Sequence, residues 1–247
     1  MRRASAMLAA SLAAPVLLGA CAGDRVLETR GDDSPGDLYV RIAAEYYRLG
    51  EMEPALRNAQ KALDVDGDNP RAHNVTATIY QRLQRPALAE QHFRSALRLA
   101  PDDAYTLTAW GNFLCEQRKF AEADAQFSRA LANPLFSAPW VAETRAGVCA
   151  RRAGQYAKAE QHLSRALNAN PSYDPALYEM AELDYAEARY RSARGYLDRF
   201  FKVRGFTPRS LLLSVRVERA LGSRKRARAH AAALRERFPN SPEILSL

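Results

Sequence analysis

Small and apolar residues recur along this chain in a single register. Ala55, Ala89, Ala123, Ala159, Ala193 and Ala227 are 34 residues apart in four of their five intervals and 36 apart in the other. With each alanine set at position 20 of a unit, position 8 reads Ala43, Ala77, Gly111, Gly147, Ala181 and Val215. Position 24 reads Ala59, Phe93, Phe127, Leu163, Leu197 and Ala231, and position 27 reads Ala62, Ala96, Ala130, Ala166, Phe200 and Leu234. Pro101, Pro171 and Pro239 fall at position 32, Gly67 and Gly205 stand there in two other units, and Pro134 comes one residue early. Apolar steps of three, four and seven are helical, and Pro or Gly at 32 ends the second helix. The pattern predicts six units, each a pair of antiparallel helices whose small residues at 8 and 20 let the axes approach to about 8–10 Å.

The fold expected is therefore all-α, a solenoid of six helix-turn-helix units over residues 37–247, in which each unit buries its apolar face against its neighbours. Its small-residue positions and terminal prolines resemble the tetratricopeptide repeat. The long interval comes from extra residues around Asn133 to Trp140. Pro134 and Pro139 break helix continuity there, so a short protruding turn is expected. Val215, Phe200 and Leu234 depart from the small residues at their positions, as terminal repeats that cap a stack often do.

Ahead of the repeats, Met1-Arg2-Arg3 precedes an apolar run from Ala6 to Ala20, too short to span a bilayer well. This reads as a secretory signal over residues 1–20. Leu18-Gly19-Ala20-Cys21 resembles the lipobox of bacterial lipoproteins, which implies acylation of Cys21. Ala22 replaces the Asp that would retain such a lipoprotein in the inner membrane, so the resemblance implies the outer membrane, facing the periplasm. The polar stretch to Gly36, with Gly31, Asp32, Asp33, Ser34 and Pro35, reads as a tether (residues 21–36).

Charge sharpens one region. The formal net charge is +8, and residues 204–237 carry ten Arg/Lys against Glu218 and Glu236. The basic excess sits near the C-terminus, either as a solvated helix face or as a surface for lipid phosphates, a carboxylate-rich partner or peptidoglycan. Nucleic acid is not expected in the implied compartment. The chain shows no phosphate-cradling glycine loop, zinc-ligand spacing or nucleophile elbow, so neither an enzyme nor a metal, cofactor or small-molecule substrate is expected. His92 and His162 share position 23 in matching contexts, which points to a scaffold role.

Binding is the function left. In tetratricopeptide arrays the first helix of each unit lines a groove at positions 2, 5, 9 and 12. Here these give Val40, Ala44 and Tyr47, then Asn74, Thr78 and Gln81, then Tyr105, Thr108 and Asn112. Asn side chains suit a partner's backbone and Tyr rings supply stacking area. Cys115 and Cys149 fall on adjacent first helices and could face each other; they form either a disulfide or two buried small side chains.

The stretches Trp110-Gly111-Asn112-Phe113-Leu114-Cys115, Asn133-Pro134-Leu135-Phe136 with Pro139, and Ala146-Gly147-Val148-Cys149 resemble the type IV pilus biogenesis and stability lipoproteins. So do Arg216-Val217-Glu218-Arg219-Ala220-Leu221-Gly222 and Phe238-Pro239-Asn240-Ser241. Ala188 departs from the family's turn glycine. The resemblance implies a pilotin, which binds secretin subunits and promotes their localisation and multimerisation in the outer membrane. The alternative is a general periplasmic scaffold lipoprotein serving peptidoglycan or outer-membrane assembly.

Overall fold

A computed structural model describes residues 36–247. The expected signal segment, Cys21 and the tether up to residue 35 lie outside the described residues. Gly36, expected in the tether, is instead buried as the N-cap of the first helix. A Cβ there would come within 2.9 Å of the Ala62 carbonyl oxygen, so the fold begins one residue earlier than the composition suggests.

The described chain is helical: α1 (Asp37–Leu49), α2 (Met52–Val65), α3 (Pro70–Arg82), α4 (Pro86–Leu99), α5 (Ala104–Glu116), α6 (Phe120–Ala132), α7 (Pro139–Arg152), α8 (Tyr156–Ala169), α9 (Asp174–Ala186), α10 (Tyr190–Arg204), α11 (Pro208–Ala220), α12 (Arg224–Arg237) and a closing 3-10 turn, Pro242–Ser246. They pair as six hairpins, and every residue at positions 8, 20, 24 and 27 is buried in all six. Each first helix also packs on the first helix of the next unit, whereas successive second helices do not pack on each other to a similar extent. The first helices thus line the inner side of a curved stack and the second helices its outer side.

Within a hairpin, position 8 meets position 24. A Cβ on Gly111 would lie 2.8 Å from the Phe127 ring, and one on Gly147 would lie 2.8 Å from Leu163 Cγ. Size is traded across this pair. Gly stands opposite Phe127 and Leu163, while Val215 shares its hairpin with Ala231. Val215 with Ala231 keeps that inverse pairing of sizes, whereas Ala43 and Ala59 are small at both positions.

The turn inside each hairpin repeats as closely. Residue 15 of every unit is left-handed: Gly50, Gln84, Arg118, Gly154, Ala188 and Gly222 all have positive φ. In each case the following amide bonds back five residues, as in Glu51 N–H to the Tyr46 carbonyl at 2.9 Å and Arg189 N–H to that of Asp184 at 2.8 Å. These bonds satisfy helix-end carbonyls in a Schellman closure. They hold Gln84, Arg118 and Ala188 in a conformation that costs a side-chain-bearing residue about 1–2 kcal/mol. Three of the first helices begin on side-chain caps: Asn69 accepts from Ala72 N–H, Asp103 from Thr106 N–H, and Thr207 and Ser210 form a capping box.

The histidines are bound into this scaffold. At position 23, His92 Nδ1 lies 2.9 Å from His73 Nδ1, His162 Nδ1 lies 2.6 Å from Glu143, and His230 Nδ1 lies 2.6 Å from Ser214 Oγ. Each tie joins the two helices of one hairpin. Burial pushes His73, His92 and His230 below the ordinary histidine range. Glu143 is held below the usual carboxylate range: burial opposes its ionisation, but hydrogen bonds from His162 and Arg165 outweigh it.

Two outcomes follow from this packing. Gly111→Ala gains about 1 kcal/mol of helix propensity but overpacks against Phe127 at a cost of about 1–3 kcal/mol, so denaturant unfolding should show a net loss on the order of 1 kcal/mol. Gly195→Ala, on the exposed side of α10 with nothing within 4 Å of the new Cβ, should instead stabilise by about 0.5–1 kcal/mol.

A third outcome concerns pH. Histidines whose folded pKa is depressed bind more protons unfolded, so stability rises with pH through the window just below their ordinary value and is lost on acidification. The His73–His92 bond also needs one ring neutral. The urea midpoint should therefore fall from about pH 7.5 to about pH 5.5, and His92→Phe should flatten that dependence.

Candidate protein-binding hollow

The inner face carries a hollow of about 450 Å³ across the first helices of units one to four. Six of the nine expected groove residues line it: Tyr47, Thr78, Gln81, Tyr105, Thr108 and Asn112. Val40, Ala44 and Asn74 do not. Val40 and Ala44 sit on α1 away from the hollow, and the Asn74 Oδ1 is buried without a hydrogen-bond partner.

The two threonines are not the free donors that their positions suggest. Thr78 Oγ1 donates to the Asn74 carbonyl at 2.9 Å, and Thr108, itself buried, donates to the Ala104 carbonyl at 2.7 Å. Their methyl groups and oxygen lone pairs are what remain for a partner. The amides are committed too. Gln81 donates to one oxygen of Glu116 at 2.7 Å and Asn112 to the other at 3.2 Å, so α3 and α5 share that carboxylate.

The rest of the lining comes from residues outside the repeat rule: Arg82, Gln84, Ala109, Glu116, Phe136, Val141 and Arg145. Arg82 and Arg145 are exposed, and neither has a hydrogen bond or ion pair among the described residues. With Glu116 already satisfied by two amides, the two guanidinium groups bring five unspent donors each, beside the Tyr47 hydroxyl and the Gln84 amide.

Phe136 comes from the long interval. The turn Asn133–Ala138 starts with Asn133 Oδ1 accepting from Leu135 N–H at 2.9 Å and anchors through Asn133 Nδ2 to the Asp102 carbonyl at 3.2 Å. Leu135 protrudes at 88% exposure while Phe136 folds inward at 7%. Its ring meets Tyr105 edge-on with centroids 5.1 Å apart, and the Tyr105 hydroxyl lies 2.6 Å from Ser137 Oγ. The expected protruding turn is thus only half of the feature; its other half supplies an aromatic wall to the hollow. The prolines signalled the break, but nothing in the spacing shows which of Leu135 and Phe136 points inward.

Behind this wall, Cys115 and Cys149 are joined in a disulfide with Cα atoms 5.7 Å apart, linking α5 to α7. Both sulfurs sit in the cluster of Phe93, Trp110, Phe113 and Phe127, where Trp110 stacks on Phe113 at 5.2 Å. Arg151 of α7 continues the tie to Glu179 of α9 at 2.9 Å. Among the described residues no group of three or more His, Cys, Asp or Glu is placed to hold a metal ion, and no helix is long and apolar enough to cross a membrane.

Comparison with known proteins agrees with this architecture. Tetratricopeptide-repeat family models match residues 40–104, 108–175 and 150–201. The type IV pilus assembly protein PilF of Pseudomonas aeruginosa is 29% identical over 214 residues, spanning 87% of this chain and 85% of that protein. The crystal structure of PilW, a widely conserved type IV pilus biogenesis factor, superposes with a TM-score of 0.77 at 32% identity, over 87% of this chain and 98% of that one. The Pseudomonas aeruginosa PilF structure gives 0.71 at 29% identity, over 85% and 95%. The chain belongs to the tetratricopeptide-repeat proteins of type IV pilus biogenesis, the family of PilF and PilW.

Proposed function

We propose that this pilus-biogenesis protein is a pilotin, which holds a segment of the secretin subunit in the hollow of units one to four and promotes secretin multimerisation in the outer membrane. The observation that carries the reading is the composition of that hollow. Tyr47, Tyr105 and Phe136 offer ring surface, and Arg82 and Arg145 offer unspent donors. The walls are tied to one another through Glu116 and the disulfide. A wall held in place before binding loses little conformational freedom when a partner arrives. An extended segment fits such a surface, with an apolar side chain against the rings and its carbonyls or carboxylates on the guanidinium groups.

The reading includes acylation at Cys21 and an outer-membrane site facing the periplasm. Its support is the lipobox-like Leu18-Gly19-Ala20-Cys21 with Ala22 following. Several acyl chains at about 0.8 kcal/mol per buried methylene hold a protein firmly, where a single chain does so only marginally.

Tyr47→Ala with Tyr105→Ala should weaken secretin binding by about tenfold or more, since buried aromatic anchors each contribute upwards of about 1 kcal/mol. Both rings are at least partly exposed in the free protein, so the fold should persist with a lowered thermal midpoint, the lost Tyr105–Phe136 contact accounting for part of the drop. Secretin multimers in a complemented deletion strain provide the readout, and undiminished multimers would remove the hollow from this role. Normal multimers with envelope or cell-shape defects would favour the general scaffold. Separately, Cys21→Ser should move the protein from the membrane to the soluble fraction; retention on the membrane would refute acyl anchoring.

A further inference from the structure

The basic stretch 204–237 separates into two populations once its side chains are placed. Half of its ten cations are engaged. Arg226 reaches Asp198 at 2.8 Å and the fully buried Glu218 at 3.1 Å, and Arg204 lies 3.7 Å from Asp174. Arg209 covers the Tyr178 ring, Arg237 covers that of Phe206, and Arg219 donates to the Leu247 carbonyl. Arg216 borders a separate small hollow on α11. Arg224, Lys225, Arg228 and Arg235 remain. All four are exposed on α12, and none has a hydrogen bond or ion pair among the described residues.

Their placement is directional. At about 100° per residue, Arg224, Arg228 and Arg235 fall within an arc of roughly 40°, with Lys225 beside them. Arg226, which reaches α10, is on the opposite side. The row therefore looks away from α10, off the open end of the stack.

It is also placed against the interest of the helix. Arg224 and Lys225 occupy the first turn of α12, which has no acidic residue, at the end where the helix dipole favours anions. Arg224 and Arg228 are like charges four residues apart, a spacing that destabilises a helix. Arg235, in the last turn, suits the dipole; local stability does not explain the other three cations, and an anionic ligand outside the fold would.

We propose that the Arg224–Lys225–Arg228–Arg235 face docks on an anionic lipid surface. The features between and around the cations favour a bilayer over an acidic protein. Ala229 and Ala232 separate the cations, and α12 contributes none of the exposed large apolar side chains of the molecule. A protein interface needs a buried apolar or aromatic centre. A bilayer of anionic phosphates needs only cations brought within a Debye length, about 8 Å at physiological salt. The proposal is independent of the hollow and of acylation.

The test uses the full chain carrying Cys21→Ser, so that no acyl group contributes, with phosphatidylcholine vesicles compared with mixed phosphatidylglycerol–phosphatidylcholine vesicles. The protein should sediment with the anionic vesicles only, and less so as salt is raised. Arg224→Glu with Lys225→Glu should lower that partition on the order of a hundredfold while raising the thermal midpoint, because both changes suit the helix dipole. Equal partition of the variant, equal binding to neutral vesicles, or no binding to anionic vesicles would overturn the proposal. Binding to polyglutamate without binding to vesicles would overturn it in favour of an acidic protein partner.

Discussion

The close approach of two helices within each hairpin is the constraint from which the rest of the structure follows. Where Gly111 faces Phe127 there is no room for even a methyl group, the same meeting recurs between Gly147 and Leu163, and positions 8 and 24 are buried in all six units. Fixing that distance fixes the tilt between helices, and the tilt, repeated, sets the curvature that brings α1, α3, α5 and α7 around one hollow. The binding surface is therefore a product of the packing layer behind it. A change of one methylene in that layer is felt on the inner face as a change of shape.

Two kinds of bond then stiffen what the packing has shaped. Within hairpins, position 23 reaches across to the first helix, with the partner varying from His73 to Glu143 to Ser214. Between units, shared carboxylates do the work: Glu116 joins Gln81 and Asn112, and Glu218 is held by Arg194 and Arg226. Glu218 is wholly buried, so its charge is tolerable only because both guanidinium groups reach it. The array is thus tied by polar contacts at spacings that a purely apolar repeat would leave loose.

The regular part of this fold was legible in the sequence because it obeys a period. Positions 8, 20, 24 and 27 each meet the same surroundings in every unit, and each is buried in every unit. The hollow was legible only in part because it forms where the period breaks. Tyr47, Gln81, Tyr105 and Asn112 stand where the repeat puts groove residues. Thr108 follows the same numbering yet is buried, its hydroxyl turned back onto the Ala104 carbonyl. Arg82 and Arg145 occupy different repeat positions, and only the three-dimensional offset between units two and four brings them to one rim. Ala188 illustrates the opposite case: an apparent departure from a glycine position keeps the same left-handed backbone, because the turn's hydrogen bonds impose it.

The disulfide has a mechanical consequence. Cys115 and Cys149 lie 34 residues apart, one repeat of chain. Tension applied along the backbone passes from α5 to α7 through the sulfurs and bypasses everything between. Phe136, Val141 and Arg145 all belong to that bypassed segment. If the protein is pulled between a fixed end and a moving partner, the outer units can peel away first while this stretch of the hollow carries no load. The cross-link thus lets part of the grip outlast the extension of the array that presents it.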